Sequence, residues 1–445
     1  MKKILALFLT MAISGFAQDR HQMGSNYYAY PTPTAKYTKA PAGYKPFYLS
    51  HYGRHGSRFH QPADHYHALY NTLAKADSAG KLTDLGKSLL GRAKFLDEYA
   101  SPRAGDLTQL GVAQHQGIAK RMVKNFPEVF KNDAYVEAYA STSVRCVVSM
   151  AAFLEELHAL KPKVEIHQES GKYLMSFISP LDFGKIIGES NTPAWQKENE
   201  KLYSHVDPTR MMRAIFNDSN YIKKNVDAGD LFSKIYEIGN SLQGSPEIKF
   251  SFDDLWTEED LTARWHAQNA WWYSVLGNNP FAKKQGLDNA RPLLKNVLDV
   301  ADKVIAADTT KADKTAKAAK KTTATLRFGH DTVIIPFTVL LQLEKDSLKA
   351  GVETTDMENL HKVWRDYEIT PMAANIQLIF YKSSKKGAPI LVKVMLNEIE
   401  QKLPITCNQQ APSAGSGALQ NCPAAPYYRW DDVREYYGKV ATTGK

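Results

Sequence analysis

Hydrophobic residues in the first third of the chain recur with two periods, one typical of strands and one typical of helices. Short apolar runs predict three strands, at residues 45–50, 135–140 and 164–168. Apolar residues at helical spacing predict four helices, at residues 63–79, 83–99, 108–125 and 144–160. Ser141, Thr142 and Ser143 precede the last of these helices and are suited to cap it. This alternation favours an α/β fold with a mostly parallel sheet flanked by helices.

The pattern changes between residues 170 and 300, where strand-like runs are scarce. This stretch contains five of the seven tryptophans, at positions 195, 256, 265, 271 and 272. We interpret it as a mainly helical domain inserted into an α/β body that comprises residues 18–169 and 301–445. Strand-like runs resume afterwards, at residues 325–328, 376–381 and 390–396. The last two runs flank a Ser-Lys-Gly turn typical of an antiparallel hairpin, and residues 430–437 predict a final helix.

The first 17 residues have the pattern of a secretory signal peptide. Lys2 and Lys3 precede an apolar run from Ile4 to Phe16, and small residues at positions 15 and 17 provide a cleavage site before Gln18. The run is shorter than the roughly 20 residues that a membrane-spanning helix needs. We therefore expect the mature chain to begin near Gln18 and to be periplasmic or secreted, without a membrane partner.

Two segments of the chain lack a clear period. Residues 18–44 are rich in Tyr, Pro, Ala and Thr, and we interpret them as an arm that lies over the body. Residues 308–325 form a Lys/Ala/Thr tract typical of a solvated helix or linker, and the alternative is an arm that binds polyanions. Because no aromatic residue interrupts the lysines of this tract, we do not expect nucleic-acid binding.

The composition permits a large core and suggests an anionic partner. Of the 445 residues, 43% are hydrophobic and 23% are charged, so the chain is not globally disordered. A formal net charge of +9 leaves nucleic acid, a membrane surface and a phosphorylated small molecule open as partners at this point.

Three cysteines are too few for a disulfide scaffold or a Cys₄ zinc site. In an exported chain, Cys407 and Cys422 around a flexible Gly/Ser/Ala-rich loop are expected to form a disulfide. Cys146 lies in an apolar stretch and is expected to be a buried, inert thiol.

Histidines are concentrated near the first predicted strand, where five of the 13 occur, at positions 51, 55, 60, 65 and 67. A metal site is one interpretation, but no helical His-Glu-x-x-His spacing is present. We therefore expect no metal here, and we expect His65 and His67 to be exposed at the start of a helix.

The segment Arg54-His55-Gly56-Ser57-Arg58 carries a more specific chemistry. Two guanidiniums can bind a phosphoryl group through paired N–H donors. They also keep the neighbouring imidazole neutral, and a neutral imidazole can attack phosphorus. Gly53 and Gly56 predict a tight turn after the strand that lets the backbone approach a phosphate. A surface turn with its arginines paired to acids is the alternative.

Two more segments can complete such a site. His330 and Asp331 end a predicted strand, where Asp331 could protonate a leaving oxygen and His330 could donate a hydrogen bond to the phosphoryl group. Arg145 stands near a helix start, which also favours an anion. The alternatives are an ordinary strand-end turn for the first pair and a surface salt bridge for Arg145.

These motifs resemble the histidine acid phosphatases, the branch that includes the phytases. The resemblance extends to Leu107-Thr108-Gln109-Leu110-Gly111, and to Ser141-Thr142-Ser143-Val144-Arg145, which matches the segment of a third phosphate-binding arginine. Met372-Ala373-Ala374-Asn375 and Leu391-Val392-Lys393-Val394 are similar to the multiple inositol polyphosphate phosphatases in particular. The similarity covers residues 50–145 and 325–437.

The resemblance implies a role for each matched residue. His55 would be the nucleophile and Asp331 the general acid. The scissile phosphate would be bound by three arginines and a histidine: Arg54, Arg58, Arg145 and His330. No metal or organic cofactor would be required, and the expected partner is a phosphorylated small molecule acted on by a monomer.

Two departures from the family pattern leave the subfamily open. Phe59 and His60 follow the second arginine where the branch usually has a proline two positions on, and His60 could reach the substrate. His330-Asp331-Thr332 stands where the multiple inositol polyphosphate phosphatases usually have His-Ala-Glu. The acid is therefore the ordinary aspartate of phytases and acid phosphatases.

Hydrolysis of inositol hexakisphosphate and related inositol phosphates is the leading hypothesis, with basic residues at the pocket rim holding the other phosphates. A broad acid phosphatase or sugar-phosphate phosphatase of the same mechanism is the nearest alternative. A phosphoglycerate mutase shares the Arg-His-Gly motif but works in the cytoplasm, which the signal peptide disfavours. A non-catalytic phosphate-binding or metal-binding protein is the remote alternative. Such a protein would retain the arginines but lack the acid, whereas this chain has both His55 and Asp331.

Overall fold

The computed structural model describes residues 19–34, 36–282, 285–309, 321–407 and 422–442. The predicted signal peptide and residues 310–320 of the Lys/Ala/Thr tract therefore lie outside the described residues. Among the described residues, no helix is both long and apolar enough to cross a bilayer.

Within the described residues, ten strands form one large sheet and one small hairpin. They are β1 (Tyr44–Arg54), β2 (Tyr135–Ala140), β3 (Glu165–Ser170), β4 (Thr322–Gly329), β5 (Glu344–Lys345), β6 (Leu348–Lys349), β7 (Asn375–Ser383), β8 (Leu391–Leu396), β9 (Ile399–Glu400) and β10 (Tyr428–Arg429). The large sheet has the order β10-β8-β7-β1-β4-β2-β3, with β9 paired to β8, and β5 pairs with β6.

The large sheet is divided at β1 into a parallel side and an antiparallel side. β1, β4, β2 and β3 are parallel neighbours, while β7, β8 and β10 continue the sheet through antiparallel pairs. β8 points in the same direction as β1, because two antiparallel pairings separate them. The predicted α/β fold with a mostly parallel central sheet is confirmed, as is the antiparallel hairpin of β7 and β8.

Sixteen α-helices are described. They are α1 (Asp64–Ser78), α2 (Asp84–Tyr99), α3 (Gln109–Asn125), α4 (Val144–Leu160), α5 (Met175–Ile178), α6 (Phe183–Ser190), α7 (Pro193–Tyr203), α8 (Thr209–Ile215), α9 (Ser219–Asn225), α10 (Ala228–Ser241), α11 (Glu258–Leu276), α12 (Gln285–Asp288), α13 (Arg291–Thr309), α14 (Asp331–Leu340), α15 (Asp366–Ile369) and α16 (Trp430–Thr442). Threonine side chains cap α2 and α3, because Thr83 and Thr108 each accept a hydrogen bond from the backbone N–H three residues on.

Both faces of the sheet are buried, as a sheet with parallel strands and helical connections requires. Tyr48 and Tyr52 of β1 belong to one hydrophobic core, and Leu49 belongs to another on the opposite face. α3 and α4 cover the face of Leu49, whereas α13, α14 and α16 pack on the other face together with helices from 171–300. The division into a body and an inserted domain stays a prediction.

Two local predictions near the carboxyl edge of the sheet are wrong. The strand predicted at 45–50 continues to Arg54, so Gly53 lies inside β1 and not in a turn. Ser143 is the first residue before α4, but its side chain makes no capping hydrogen bond. The hydroxyls of Ser141 and Ser143 instead lie 3.0 and 3.5 Å from Nε2 of His330.

The segment before β1 lies over the body as the predicted arm. Residues Arg20–Tyr27 form a 3-10 helix, in which Met23 and Tyr27 are buried. The disulfide between Cys407 and Cys422 is confirmed, with 5.7 Å between the two Cα atoms. Cys146 is buried and unpaired, as predicted, and burial raises the pKa of its thiol to about 12.

Candidate active site

The predicted site residues meet because three parallel strands end at the same edge of the sheet. Arg54 ends β1 and is level with Gly329 at the end of β4, while Ala140 of β2 is level with Phe328. The segments that follow these strands contribute residues 55–58, 141–145 and 330–331. Ligands bind at such carboxyl edges in open α/β sheets.

A cavity of about 490 Å³ opens over this edge. Five of the six predicted site residues line it: His55, Arg58, Arg145, His330 and Asp331. A larger cavity, of about 720 Å³, is lined by Lys45, Asp308 and Lys382 among others and contains none of the six. The chemistry identifies the smaller cavity as the candidate active site.

His55 is oriented by its own neighbour. Its Nδ1 lies 2.9 Å from the carbonyl oxygen of Gly56, which can only accept a hydrogen bond, so Nδ1 carries the proton. The lone pair of a neutral ring is therefore on Nε2. Burial holds the pKa of His55 well below its ordinary value, and the charges of Arg54 and Arg145 add to this effect.

Arg54 is fully buried and does not line the cavity. Its Nη1 donates to the carbonyl oxygens of Asn26 and Thr370, both at 2.7 Å. Its Nη2 forms an ion pair with Oδ2 of Asp331 at 2.7 Å. The N–H groups of Nη2 are not oriented to make this contact a hydrogen bond. Burial lowers the pKa of Arg54 to about 10, so it remains positively charged at neutral pH. Arg54 therefore holds the carboxylate of Asp331 in place.

Asp331 is ionised in this arrangement. Its Oδ1 accepts a hydrogen bond from the backbone N–H of Thr332 at 2.9 Å, and its Oδ2 accepts one from Nδ2 of Asn26 at 3.2 Å. Burial on its own raises the pKa of this carboxyl, but the nearby charges of Arg54 and Arg58 outweigh burial and lower the pKa below its ordinary value. Asp331 must therefore gain a proton before it can act as an acid.

Arg58 and Arg145 retain unused donors that point to an anionic ligand. The guanidinium of Arg58 lies over the ring of Tyr27, at 5.3 Å from its centroid, and donates to the carbonyl of Phe59. The buried Nε atoms of Arg58 and Arg145 have no hydrogen-bond partner among the described residues. Both side chains line the cavity, where the other N–H groups of the two guanidiniums can bind a phosphoryl group.

His330 lies between the nucleophile candidate and the start of α4. Its ring centroid is 5.8 Å from that of His55, at an angle of 70°. Burial, together with the charge of Arg145, lowers its pKa to about 4, so the ring is neutral at neutral pH. A neutral ring held by Ser141 can donate one hydrogen bond to a bound phosphoryl group.

Gly56 allows a close contact with α3, and not the predicted approach of the backbone to a phosphate. A Cβ atom on Gly56 would lie 2.5 Å from the carbonyl oxygen of Gly111 and 2.6 Å from its Cα. The close approach at this position is therefore to the backbone of α3. It fixes the loop that carries His55 and Arg58 against that helix.

Other residues of the cavity were not found by sequence reasoning. Asn26 and Tyr27 reach it from the arm, and Tyr27 lies 2.7 Å from Nδ1 of His60. Trp271 and Trp272 reach it from α11. No motif marks these positions, because each depends on tertiary contacts between distant segments.

The remaining histidines of the cluster have separate surroundings. His51 is buried between Phe153 and Phe328 and belongs to the core. His67 is exposed as predicted and pairs with Asp97. The prediction for His65 is wrong: its ring is half-buried and stacks on that of His60, with 4.9 Å between centroids.

The expected basic rim is not found among the described residues that line the cavity. Arg58 and Arg145 are the only arginines or lysines there, and both belong to the predicted phosphate site. The other charged lining residues are acids, namely Asp182, Glu237 and Asp331.

Comparisons with known proteins identify the family and the fold of the chain. Residues 53–397 match the histidine phosphatase superfamily (branch 2). A multiple inositol polyphosphate phosphatase from Bifidobacterium longum, in complex with inositol hexasulfate, has a similar fold, with a TM-score of 0.73 and 18% identity over 94% of this chain and 97% of that one. The phytase from D. castellii gives a TM-score of 0.62 at 14% identity, over 99% of this chain and 91% of that one.

A phytase from Hafnia alvei in complex with myo-inositol hexakis sulphate gives a TM-score of 0.52 at 14% identity, over 90% of this chain and 98% of that one. The comparison with curated proteins returned no match. Identities this low establish a shared fold and transfer no substrate. The family match, in contrast, spans most of the chain and includes all of the predicted site residues. The chain therefore belongs to branch 2 of the histidine phosphatase superfamily.

Proposed function

We propose that this chain is an exported phosphomonoesterase that transfers the phosphoryl group of its substrate first to His55 and then to water. The observation that carries the proposal is the free Nε2 of His55 on a cavity that also contains Arg58, Arg145, His330 and Asp331. Export is supported by the signal-like first 17 residues and by a disulfide, which suits an oxidising compartment.

In the first step, the lone pair on Nε2 of His55 attacks phosphorus while the bond from phosphorus to the alcohol oxygen breaks. Asp331 donates its proton to that oxygen, so a neutral alcohol leaves. Arg58, Arg145 and His330 stabilise the negative charge on the other phosphoryl oxygens. Arg54 holds Asp331 in position for this transfer.

The substrate itself can supply the proton that Asp331 needs. A phosphate monoester has a second pKa of about 6, so it binds as a monoanion in acid. A phosphate dianion next to the carboxylate of Asp331 would be repelled, which favours a shared proton on the carboxyl group. The proposed reactive form of the complex contains a protonated Asp331 and a dianionic phosphoryl group.

In the second step, water attacks the phosphohistidine and gives its proton to the carboxylate of Asp331. The bond from phosphorus to Nε2 breaks, and the electron pair returns to His55. Phosphate takes this proton from Asp331 and leaves as the monoanion, and the site returns to its starting state with Asp331 ionised. Every catalytic group in these two steps is a protein side chain, so neither step requires a metal.

For the substrate, we propose inositol polyphosphates. The support is the similarity of nearly the whole chain to structures of a multiple inositol polyphosphate phosphatase and of phytases, together with the net positive charge of the chain.

One observation favours a second candidate, a phosphatase for esters with few phosphates. The described wall of the cavity away from the phosphate site has acids at Asp182 and Glu237 and indoles at Trp271 and Trp272. Such a wall repels additional phosphates and suits a ring or sugar that has hydroxyl groups.

A substrate panel tests both candidates. The purified enzyme is given inositol hexakisphosphate, an inositol monophosphate, glucose phosphate and nitrophenyl phosphate, and kcat/KM is measured from phosphate release. The first candidate predicts the highest kcat/KM for inositol hexakisphosphate. A preference of tenfold or more for the monophosphates would instead select the second candidate. Absence of hydrolysis for every ester would contradict both.

A further inference from the structure

A second cluster of side chains lies on the wall of the same cavity, outside the phosphate site. It comprises three residues: His60 of the loop after β1, His65 in the first turn of α1, and Glu237 of α10. The rings of the two histidines stack, and His60 and Glu237 line the cavity. The proposed reaction uses none of these three residues.

The three potential ligand atoms form a compact triangle. Nε2 of His60 lies 2.9 Å from Nδ1 of His65 and 3.8 Å from Oε2 of Glu237, and the third side, from Nδ1 of His65 to Oε2 of Glu237, is 3.2 Å. A tetrahedral ion with bonds of about 2.0–2.1 Å separates its ligand atoms by roughly 3.3 Å. The observed triangle therefore already has the size of a metal site.

Glu237 forms no ion pair with a lysine or an arginine among the described residues. Its ion-pair partners among the described residues are His60 and His65. The positive charge of Arg264 also acts on Glu237, but the two form no ion pair in the described structure. A cation between the three ligand atoms would neutralise the carboxylate.

Tyr27 can orient His60 for such a cation. Its hydroxyl oxygen lies 2.7 Å from Nδ1 of His60 and can accept the Nδ1 proton. The lone pair of His60 would then be on Nε2, the atom that faces the other two ligands. Metal-binding histidines usually donate their second ring N–H in this way, which fixes the tautomer.

We propose that His60, His65 and Glu237 bind one divalent transition-metal ion, for which Zn²⁺ is the best match, with an open coordination position towards the phosphate cavity. Two imidazole nitrogens and one carboxylate oxygen are a ligand set that zinc prefers, and three protein ligands leave one position for water or a substrate oxygen. The ion would add positive charge to an otherwise acidic wall. It would modulate substrate binding, because phosphoryl transfer does not require it.

Binding of Zn²⁺ to the purified, metal-stripped protein tests this proposal independently of activity. Titration against a chromophoric chelator measures stoichiometry and affinity for the wild type, His65→Ala, Glu237→Gln and the control His67→Ala. His67 is a histidine of the same helix that pairs with Asp97, outside the cluster. Circular dichroism verifies that each variant is folded.

We expect one tight equivalent of Zn²⁺ in the wild type and in His67→Ala, and an affinity at least tenfold weaker in His65→Ala and in Glu237→Gln. Equal affinity of the wild type and His65→Ala would overturn the proposal. Anomalous diffraction at the zinc edge, from wild-type crystals soaked in Zn²⁺, provides a test that needs no variant. An ion between His60, His65 and Glu237 is expected, and zinc found only at other histidines, such as His205 or His266, would overturn the proposal.

Discussion

At the scale of single residues, the site combines neutral imidazoles with permanently charged guanidiniums. Burial and neighbouring arginines lower the pKa values of His55 and His330, whereas the same arginines keep Asp331 ionised in the free site. Sequence reasoning could predict the neutral ring of His55, because the Arg-His-Gly-Ser-Arg segment places two arginines near this histidine along the chain. It could not predict Asn26, which contacts Asp331 from 305 residues away.

Replacement of Asp331 by asparagine tests the proton donor. Asp331→Asn keeps the size of the side chain but removes the acid, so release of a poorly leaving alcohol should slow by about 10²–10⁴-fold. Release of nitrophenol, which needs little protonation, should slow by less than about tenfold. Rapid mixing that measures the first equivalent of alcohol, from glucose phosphate and from nitrophenyl phosphate, isolates this step.

Asp182→Asn provides the matched control, because it removes another carboxylate of the same cavity. With the enzyme saturated by either ester, its effect on the rate of alcohol release should be small. An equal loss for both esters in Asp331→Asn would contradict the assignment of Asp331 as the acid.

The pH dependence of activity follows from the same groups. Above roughly pH 6 the substrate loses the proton that it shares with Asp331, so kcat/KM should fall. Activity should persist well below pH 6.5, the ordinary pKa of histidine, because the lowered pKa of His55 keeps its ring neutral. A profile of kcat/KM from about pH 3.5 to 8 measures both limbs. In Arg145→Gln the acidic limb should move to higher pH, and an optimum above neutral pH in the wild type would contradict the account.

At the scale of elements, the site depends on how the loop after β1 packs on α3. Periodicity predicted α1, α2 and α3 to within one residue at each end, because their apolar positions face a core. It did not predict that β1 continues to Arg54, because His51 and Gly53 interrupt the apolar run. His51 is nevertheless buried against two phenylalanines, which single-sequence patterns do not indicate.

Gly56→Ala should damage both stability and activity. The added methyl group would clash with the backbone of Gly111, so the loop and α3 must separate and His55 and Arg58 must move. We expect the free energy of unfolding to fall by about 1–3 kcal/mol. We also expect kcat to fall by a larger fraction than this free energy does. Urea unfolding and kinetics with nitrophenyl phosphate measure the two effects.

Gly91→Ala is the control for this substitution. Gly91 lies on the exposed side of α2, and nothing lies within 4 Å of an added Cβ atom. This variant should be more stable by about 0.5–1 kcal/mol and equally active. Wild-type stability and activity in Gly56→Ala would contradict the close packing described for the loop.

At the scale of the whole molecule, the cavity is assembled from segments far apart in the sequence. The sheet edge supplies the chemistry, the arm supplies Asn26 and Tyr27, and the helices after β3 supply the aromatic and acidic wall. A mostly parallel sheet flanked by helices could be expected from the alternating pattern and from the family resemblance. The character of the wall could not, because side chains that line it lie on helices whose packing has no sequence signature.

The central claim is that His55 becomes phosphorylated during turnover. The most direct measurement uses Asp331→Asn with nitrophenyl phosphate carrying a labelled phosphoryl group. The first step then proceeds without an acid, but the second step lacks its base, so the intermediate should accumulate. After a quench in alkaline denaturant, peptide mapping should find up to one label per chain, on His55, and the double variant His55→Ala/Asp331→Asn should have none. Hydrolysis without any labelled histidine, or equal labelling in the double variant, would contradict the account.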